Sequence, residues 1–545
     1  MRGSRGALLG AIGLFAALFA AVIAASLSLT GGHLGYALDD GYIHLAMARQ
    51  FAEHGVWGVT RYAFSSSSSA PLWTLLLGLI FRLTGPFEAL PLLLNAIAAV
   101  GVIVVARRIL QRLAPGASAR TVFLGLAAVV LFTPLVPLVF MGQEHTLHLL
   151  LTLVFAHLAA QRLIPERRPA SGETRAFYLL AAIMPMVRYE SLFLILATAG
   201  LLAWRRRSRE ALVLVASGLL TPIAYGLFCV SQGGFLLPNP ILIKANLPGK
   251  DLGGTLRTVL GYTALHRLFA NAHLVVPILA ALLLLVRRAG TVAGDTAGRD
   301  DGAAARAPRT LLGLFVIATA LHLTLADVGW FYRYEAYLVG LSLVALVAAA
   351  STAPGLWGTW TRGGVRGSMR ALAAVALGIV CLGALADRGV RAVLETPRAT
   401  ANIYEQQYQI GRFLRDAYPG ASVAMNDVGA VNYLADIRCL DLVGLASADV
   451  AAHIRAGTYN PRALDQLMRD HAVRIAVLYD EWIRIPSQWR RVGSWTIRKN
   501  VVAGGTTVSF YALDPAEAAP LAQKLKRFAP QLPATVEQSG SYLVE

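Results

Sequence analysis

Two adjacent acids, Asp39 and Asp40, stand just after the first long apolar run of the chain. Neighbouring carboxylates repel, which raises one of their pKa values unless a cation or donor hydroxyl compensates. A carboxylate in that position can take a proton from a hydroxyl as general base, or hold a divalent metal ion. The same pair also suits the start of a helix, with Asp as N-cap. Ile43, Met47 and Phe51 then repeat on one helical face, the pattern of a helix lying on a membrane surface. Further on, Arg188-Tyr189-Glu190 and Arg333-Tyr334-Glu335 share one tripeptide beside apolar runs. A guanidinium fork fits phosphate oxygens, and a local Arg–Glu ion pair at a helix end is the simpler account of each Glu. Lys244, within Asn239 to Asn246, offers a phosphate contact or an interfacial anchor. Glu144, His145 and His148 open a helix, as metal ligands or as polar groups facing a neighbour.

Composition says where these residues must be held. Of the 545 residues, 56% are hydrophobic and only 15% charged, more apolar surface than a soluble fold can hide. Long apolar runs separated by short Arg-rich pieces are the pattern of membrane spans and their loops. The net charge of +18 does not indicate nucleic acid, because the arginines cluster beside apolar runs and no nucleic-acid motif accompanies them. Cys229 and Cys381 lie in apolar runs and only Cys439 in the tail, so neither a disulfide there nor a zinc motif is expected.

Apolar runs fall at about 7–29, 71–84, 87–106, 121–140, 146–160, 176–187, 191–204, 210–230, 272–286, 310–326, 331–350 and 371–386. The first, behind Arg2 and Arg5, reads as an uncleaved anchor with its N-terminus inside. The short run 71–84 carries Arg82; taken as an interfacial or re-entrant helix, it leaves every later arginine cluster on the inner side. The runs 176–187 and 191–204 read as a shortened helix pair meeting at Met186 to Glu190, leaving a wedge-shaped cavity. The fold class expected is therefore a polytopic α-helical membrane protein of about eleven spans plus interfacial helices. Its transmembrane domain is 1–387, with a first external loop at 31–70, and an extracytoplasmic α/β domain follows at 388–545. In that domain Ile403 to Ala417 reads as a helix, and Ser422 to Met425 and Arg474 to Tyr479 as buried strands. Gly290 to Arg309 reads as a flexible inner linker.

This topology puts Asp39, Asp40, Gln143, Glu144, His145, Arg188, Tyr189, Glu190, Asn239, Lys244, Asp327, Arg333 and Tyr334 at one membrane face. The opposite loops carry arginines without that mixture of acids, amides and aromatics. The asymmetry locates a candidate site on the outer face of a bacterial inner (plasma) membrane.

Those residues resemble a known family. Asp39-Asp-Gly-Tyr-Ile-His-Leu-Ala-Met-Ala-Arg49 and Ser68-Ser-Ala-Pro-Leu-Trp73 resemble the first external loop of GT-C glycosyltransferases. The likeness is to the branch with mycobacterial terminal arabinofuranosyltransferases and related polyprenyl-phosphosugar enzymes. Gly142-Gln-Glu-His-Thr146 is similar to its Gly-Met-Glu-Thr stretch, with His145 interrupting the spacing. Val187-Arg-Tyr-Glu190 is similar to Arg-Pro-Glu, with Tyr189 in place of proline. Trp330-Phe-Tyr-Arg-Tyr334 resembles an aromatic-Arg-Tyr motif. In the tail, Asn426-Asp-Val-Gly-Ala-Val-Asn-Tyr433 and Asp441-Leu-Val-Gly-Leu445 resemble external-domain signatures.

The resemblance implies an inverting transferase that moves a sugar (arabinofuranose, another pentose or a hexose) from a polyprenyl-phosphate donor to an envelope glycan or glycolipid. It maps the catalytic acid onto Asp39-Asp40, with Asp39 favoured as base and Asp40 retained. It makes Arg188, Lys244 and Arg333 the donor-phosphate residues, whose charge stabilises the leaving group. Glu144, His145, Tyr189, Glu190 and Tyr334 line the same site. A divalent metal at Asp39, Asp40 and Glu144 is the one cofactor this reading admits. The partners are the lipid-linked donor, the glycan acceptor and membrane lipids. Two other readings keep the membrane and drop the chemistry: a transporter or flippase for lipid-linked glycans, with internal repeats and mid-membrane polar groups, and a non-catalytic envelope-assembly protein whose acids are only caps.

Overall fold

Helices dominate the chain because its apolar runs are long and rich in Ala and Leu, strong helix formers. The computed structural model describes residues 2–164, 167, 169–244, 271–286, 299–352 and 364–543. In order these form α1 (Arg2–Leu29), α2 (Asp39–His54), α3 (Pro71–Thr84), α4 (Leu90–Leu113), α5 (Ala119–Phe132), α6 (Leu135–Phe140), α7 (His145–Arg162), α8 (Ser171–Val187), α9 (Ser191–Trp204), α10 (Ser208–Ser231), α11 (Asn239–Lys244), α12 (Ala272–Val286), α13 (Arg299–Leu325), α14 (Ala336–Ser351) and α15 (Gly364–Ile403). Among the described residues, four helices are long and apolar enough to cross a bilayer: Arg5–Leu29, Leu90–Leu113, Ser208–Ser231 and Arg306–Leu325. Five shorter apolar helices accompany them, among them α5, α9 and α14. Leu212, Ile97 and Leu9 point outward at 72%, 69% and 68% exposure, which only a lipid surround makes cheap. The chain is thus a helical membrane protein with a C-terminal domain built on a sheet.

Several elements differ from their sequence-based expectation, each for a local reason. The run 121–140 is two helices, α5 and α6, because Pro134 has no N–H to continue the ladder and takes ψ 101 at the break. The stretch 299–309, expected as linker, is already helical within α13, in keeping with Ala303 to Ala305. The remaining linker residues 290–298, together with Arg168, Asn246, Arg287 and Arg288, lie outside the described residues. The helix pair α8/α9 does break at Arg188 to Glu190, where Arg188 is extended at φ −156.

α15 is 40 residues long and passes straight through the 387/388 boundary. A π-helical turn at Tyr404–Tyr408 joins it to α16 (Gln409–Ala417). The domain continues with α17 (Ala430–Leu434), α18 (Ala448–Ala456), α19 (Pro461–Asp470) and α20 (Pro515–Phe528). Its six strands are β1 (Ser422–Met425), β2 (Arg438–Asp441), β3 (Ile475–Leu478), β4 (Arg490–Ile497), β5 (Thr507–Ala512) and β6 (Val536–Gly540), in the order β2-β1-β3-β5-β4-β6. β1 pairs parallel with β2 and β3, and the other pairings are antiparallel. Both expected strands are present as β1 and β3, and all four residues of β3 are buried. Phe413 on α16 packs against Trp495, Phe510 and Phe528 at ring separations of 5.6 to 5.8 Å, closing the core beneath the sheet.

Candidate active site

α2 begins at Asp39 with Leu38 as its extended N-cap residue and no side-chain cap. Neither acid therefore serves as N-cap of its own helix. Successive helical side chains diverge by about 100°, so the two carboxylates enter different surroundings. Asp39 turns to the C-terminal domain: its Oδ2 accepts from Gly429 N at 2.7 Å and its Oδ1 from Ala430 N at 2.8 Å. Asp40 turns the other way, where Arg333 Nη2 donates to its Oδ2 at 2.5 Å.

Burial pushes the Asp39 carboxyl up to about 8; Asp427 and Asp40 add repulsion, while the two backbone donors pull it down. Asp427 is itself tied by Gln407 Nε2 and Tyr479 O–H, each donating to its Oδ2 at 2.7 Å. The approach at Asp39 is possible only because residue 429 is glycine. A Cβ there would lie 2.1 Å from the Asp39 carbonyl oxygen and 2.7 Å from Oδ2. Arg49 adds a second tie between α2 and α17, donating to Tyr433 O at 2.7 Å.

Arg333 is 1% exposed. It also donates to Gln143 Oε1 and, at 3.0 Å, to Tyr334 O–H, while its buried Nε has no hydrogen-bond partner. The Tyr334 ring stands 4.8 Å from the Arg333 guanidinium and 5.6 Å from that of Arg188, a cation–π position toward both. Arg188 donates to Glu144 Oε1 at 2.8 Å and grips Glu190 through both its Nε, at 3.0 Å, and Nη2. Glu144 is fully buried and also faces His44 Nε2 at 3.6 Å. Burial lowers the His44 pKa, and its Nδ1 meets Thr74 Oγ1 at 2.7 Å.

Asp40 and the two arginines border one cavity of about 350 Å³. Asp40, Arg188, Arg333, Tyr189, Glu190 and Tyr334 line its polar end, joined by Gln143, Ser69 and Asp327. Leu192, Phe193 and Leu196 of α9, Pro240 and Ile241 of α11, Leu237, and Leu325 of α13 line the rest. Leu196 and Leu325 are 44% and 37% exposed, so the apolar end reaches the outer, lipid-facing surface.

The expected residues therefore divide. Asp40, Arg188, Tyr189, Glu190, Arg333 and Tyr334 come together. Asp39 is not among the residues lining the cavity; each of its oxygens accepts from a backbone N–H of the C-terminal domain. Glu144 and His145 are buried behind the lining, Glu144 as partner of Arg188 and His145 at the first turn of α7. The side chain of Lys244 lies outside the described residues, although its helix α11 contributes Pro240 and Ile241. Glu190 forms the expected local ion pair with Arg188, but Glu335 does not pair with Arg333: it meets Arg388 at 3.0 Å and His273 at 3.1 Å, while Arg333 turns to Asp40. Ser69 belongs to the quoted motif Ser68 to Trp73 but was given no role in the site, and the apolar lining residues were not singled out.

Metal ligation at Asp39, Asp40 and Glu144 fits poorly with these partners. The Asp39 oxygens face N–H donors, and Asp40 and Glu144 face guanidinium groups. Among the described residues no group of three or more His, Cys, Asp or Glu side chains is arranged for a metal.

The second motif of the tail braces the cavity from outside. Asp441 accepts from Val443 N at 2.8 Å and Ala446 N at 2.6 Å, holding a turn with Gly444 at φ 83. A Cβ on Gly444 would lie 3.2 Å from Ile243 of α11, so the turn packs against the helix that lines the cavity.

A family model described as a domain of unknown function (DUF8728) matches residues 401–511, from the end of α15 through most of β5. No curated protein matches the sequence. Among solved structures, the chain is similar to ArnT from Cupriavidus metallidurans bound to undecaprenyl phosphate, at 14% identity and TM-score 0.48, covering 93% of this chain and 99% of that one. It is also similar to the Archaeoglobus fulgidus oligosaccharyltransferase AglB in complex with an inhibitory peptide and a dolichol-phosphate, at 10% identity and TM-score 0.44, covering 92% of this chain and 74% of that one. A third likeness is to the arabinofuranosyltransferase AftD from Mycobacteria, at 15% identity and TM-score 0.42, covering 92% of this chain and 40% of that one.

Proposed function

We propose that this chain is an inverting glycosyltransferase that moves a sugar from a polyprenyl-phosphate donor to an extracytoplasmic envelope glycan or glycolipid. The observation that carries the reading is a single cavity with two chemistries: Asp40 and Arg333 at one end, and Leu, Phe and Ile side chains reaching the lipid-facing surface at the other. A prenyl chain needs the second end and its phosphate needs the first. The likeness of the quoted motifs to GT-C transferases supports the same assignment.

In this reading Asp40 is the base. It takes the proton of the acceptor hydroxyl as that oxygen bonds to the anomeric carbon. The carbon–oxygen bond to phosphate breaks, and the prenyl phosphate leaves with the electron pair and the negative charge. Arg333 receives that charge, since its fork is directed at the cavity and its Nε is unpartnered. Its ion pair with Asp40 gives way to the donor phosphate, so donor binding frees the base. Arg188, already held by Glu144 and Glu190, orients Tyr334 and adds less charge. Asp39 is a positioning residue that fixes the start of α2 against the C-terminal domain. No step is routed through a metal ion.

Mass spectrometry of lipids bound to the protein in mild detergent tests the reading. A polyprenyl phosphate or phosphosugar enriched on wild type and lost from Arg333→Ala is the expected result. Failure of wild type to retain added polyprenyl phosphate above bulk phospholipid would sink it.

A further inference from the structure

α15 and the loop between α13 and α14 border a second cavity of about 480 Å³, within the size range of small-ligand sites. That loop divides it from the candidate active site. Arg333 and Tyr334 line the candidate active site, while Gly329 to Tyr332 and Glu335 line the second cavity. Trp330, Phe331 and Tyr332 hold left-handed backbone at φ 33, 55 and 66. Such a conformation is costly for any residue with a side chain and persists only where its surroundings impose it. Here Arg388 Nη2 donates to Tyr332 O at 2.5 Å, Tyr332 O–H to Glu395 Oε2 at 2.7 Å, and Gly329 N to Glu335 Oε2 at 2.9 Å. The turn they hold sets three consecutive aromatic residues in the wall of one cavity and Arg333, the next residue, in the wall of the other.

The mouth of this cavity is aqueous. Asp387, in its wall, pairs with Arg391 at 2.7 Å, and the two side chains are 59% and 64% exposed, which a lipid surround would penalise. Val501 of the C-terminal domain completes the rim. Trp330 is 52% exposed at that mouth, an apolar ring with a polar N–H edge. Asp387 and Glu395 of α15 stand in the same wall. Each already holds a partner, Arg391 for one and Tyr332 for the other. A carboxylate has about four acceptor sites, so both are oriented groups with capacity for a further hydroxyl. An open aromatic face beside oriented carboxylates matches a sugar ring, which is apolar on its C–H face and donates hydroxyls from its edge. An acyl chain would instead strip water from the acids without replacing it.

We infer that the second cavity holds sugar units of the acceptor glycan remote from the reacting hydroxyl, with Trp330 stacked on a ring and Asp387 and Glu395 accepting from its hydroxyls. The inference rests on the proposed reaction, which needs a glycan beside the donor phosphate. One loop separates the two, and Tyr332 and Arg333 are adjacent residues on its opposite faces.

Binding of the full chain in mild detergent to an array of arabinan, galactan and mannan oligosaccharides tests it. Wild type is expected to bind at least one series, and more tightly as its chains lengthen. Trp330→Ala and Asp387→Ala, both at exposed positions where folding should survive, are each expected to weaken that binding by about 10-fold or more. Trp204→Ala removes a tryptophan that is 86% exposed and lines neither cavity, and it should bind as wild type does. No binding of any series by wild type, or equal binding by wild type and both cavity variants, would overturn the subsite. Retention of added polyprenyl phosphate, measured on the same wild-type preparation, separates this inference from the reaction. Glycan binding without lipid retention would leave the subsite standing and sink the proposed reaction, and lipid retention without glycan binding would overturn the subsite alone.

Discussion

Asp39 and Gly429, 390 residues apart, meet through a 2.7 Å hydrogen bond from the glycine N–H to the carboxylate. With Ala430 N donating to the other oxygen, this contact joins the membrane helices to the sheet domain at the point where α2 begins. It also faces Asp40, the next residue, toward Arg333 and the cavity.

Gly429→Ala should break the junction. The added Cβ would sit 2.1 Å from a backbone oxygen of Asp39, and backbone cannot swing aside as a side chain can. A loss of about 1–3 kcal/mol is expected, read as a lower Tm in detergent. Gly200→Ala, where a Cβ meets nothing within 4 Å, should leave Tm level or higher. Equal behaviour of the two variants would show that the close approach carries no energy.

The junction should be pH-sensitive, with a definite sign. The Asp39 pKa of about 8 lies above its ordinary 3.8. Between those values the folded chain holds a proton that the unfolded chain has lost, so this group's contribution to stability falls as pH rises from about 4 to 8. Asp39→Asn cannot ionise, and it gives up one of two N–H contacts, about 1 kcal/mol. The variant should therefore melt below wild type at pH 5, and the gap should narrow toward pH 8.5. Raised carboxyls elsewhere, such as Asp441 at about 6 and Glu88 at about 7, are common to both proteins and cancel in the difference. A gap that stays constant with pH refutes the assignment.

Turnover should separate the two acids. Asp40→Asn is expected to lower sugar transfer by about 10²-fold or more with Tm little changed. Asp39→Asn should act mainly through stability and keep measurable kcat. Radiolabel transfer from a polyprenyl-phosphosugar in proteoliposomes reads both. Loss of transfer in a stably folded Asp39→Asn, with Asp40→Asn active, would reverse their roles.

The two arginines should fail in different assays. Arg188 sits between two carboxylates, and truncating it strands Glu144 at 0% exposure, a defect of about 3–5 kcal/mol seen in Tm. Arg333→Lys keeps a charge and loses the fork; donor retention should drop about 10-fold with Tm nearly level. Identical lipid retention in Arg333→Lys and wild type would remove Arg333 from the phosphate site.

Much of this was legible in the chain. Run lengths predict most of the helices, because burying an unpaired backbone in lipid is prohibitive and an apolar run has no cheaper solution. The Pro134 break was missed: a run read for hydropathy alone passes over a residue whose effect is to remove an N–H. Strands β1 and β3 were readable as short apolar stretches. β2, β4, β5 and β6 were not, since polar residues such as Arg438, Arg490, Arg491, Ser509, Glu537 and Gln538 interrupt any apolar run in them.

Sequence by itself determined that the chain is a helical membrane protein with a sheet-bearing tail, and it named most of the polar residues that meet around the cavity, because these follow from composition and local periodicity. Tertiary structure alone decided which partners each member of that set meets. Asp39 and Asp40 are chemically identical neighbours, and no property of the linear chain distinguishes them. They part because a helix turns about 100° per residue, aiming one at the N–H groups of Gly429 and Ala430 and the other at Arg333. Those partners lie roughly three to four hundred residues away in sequence, and only folding brings them within hydrogen-bond reach.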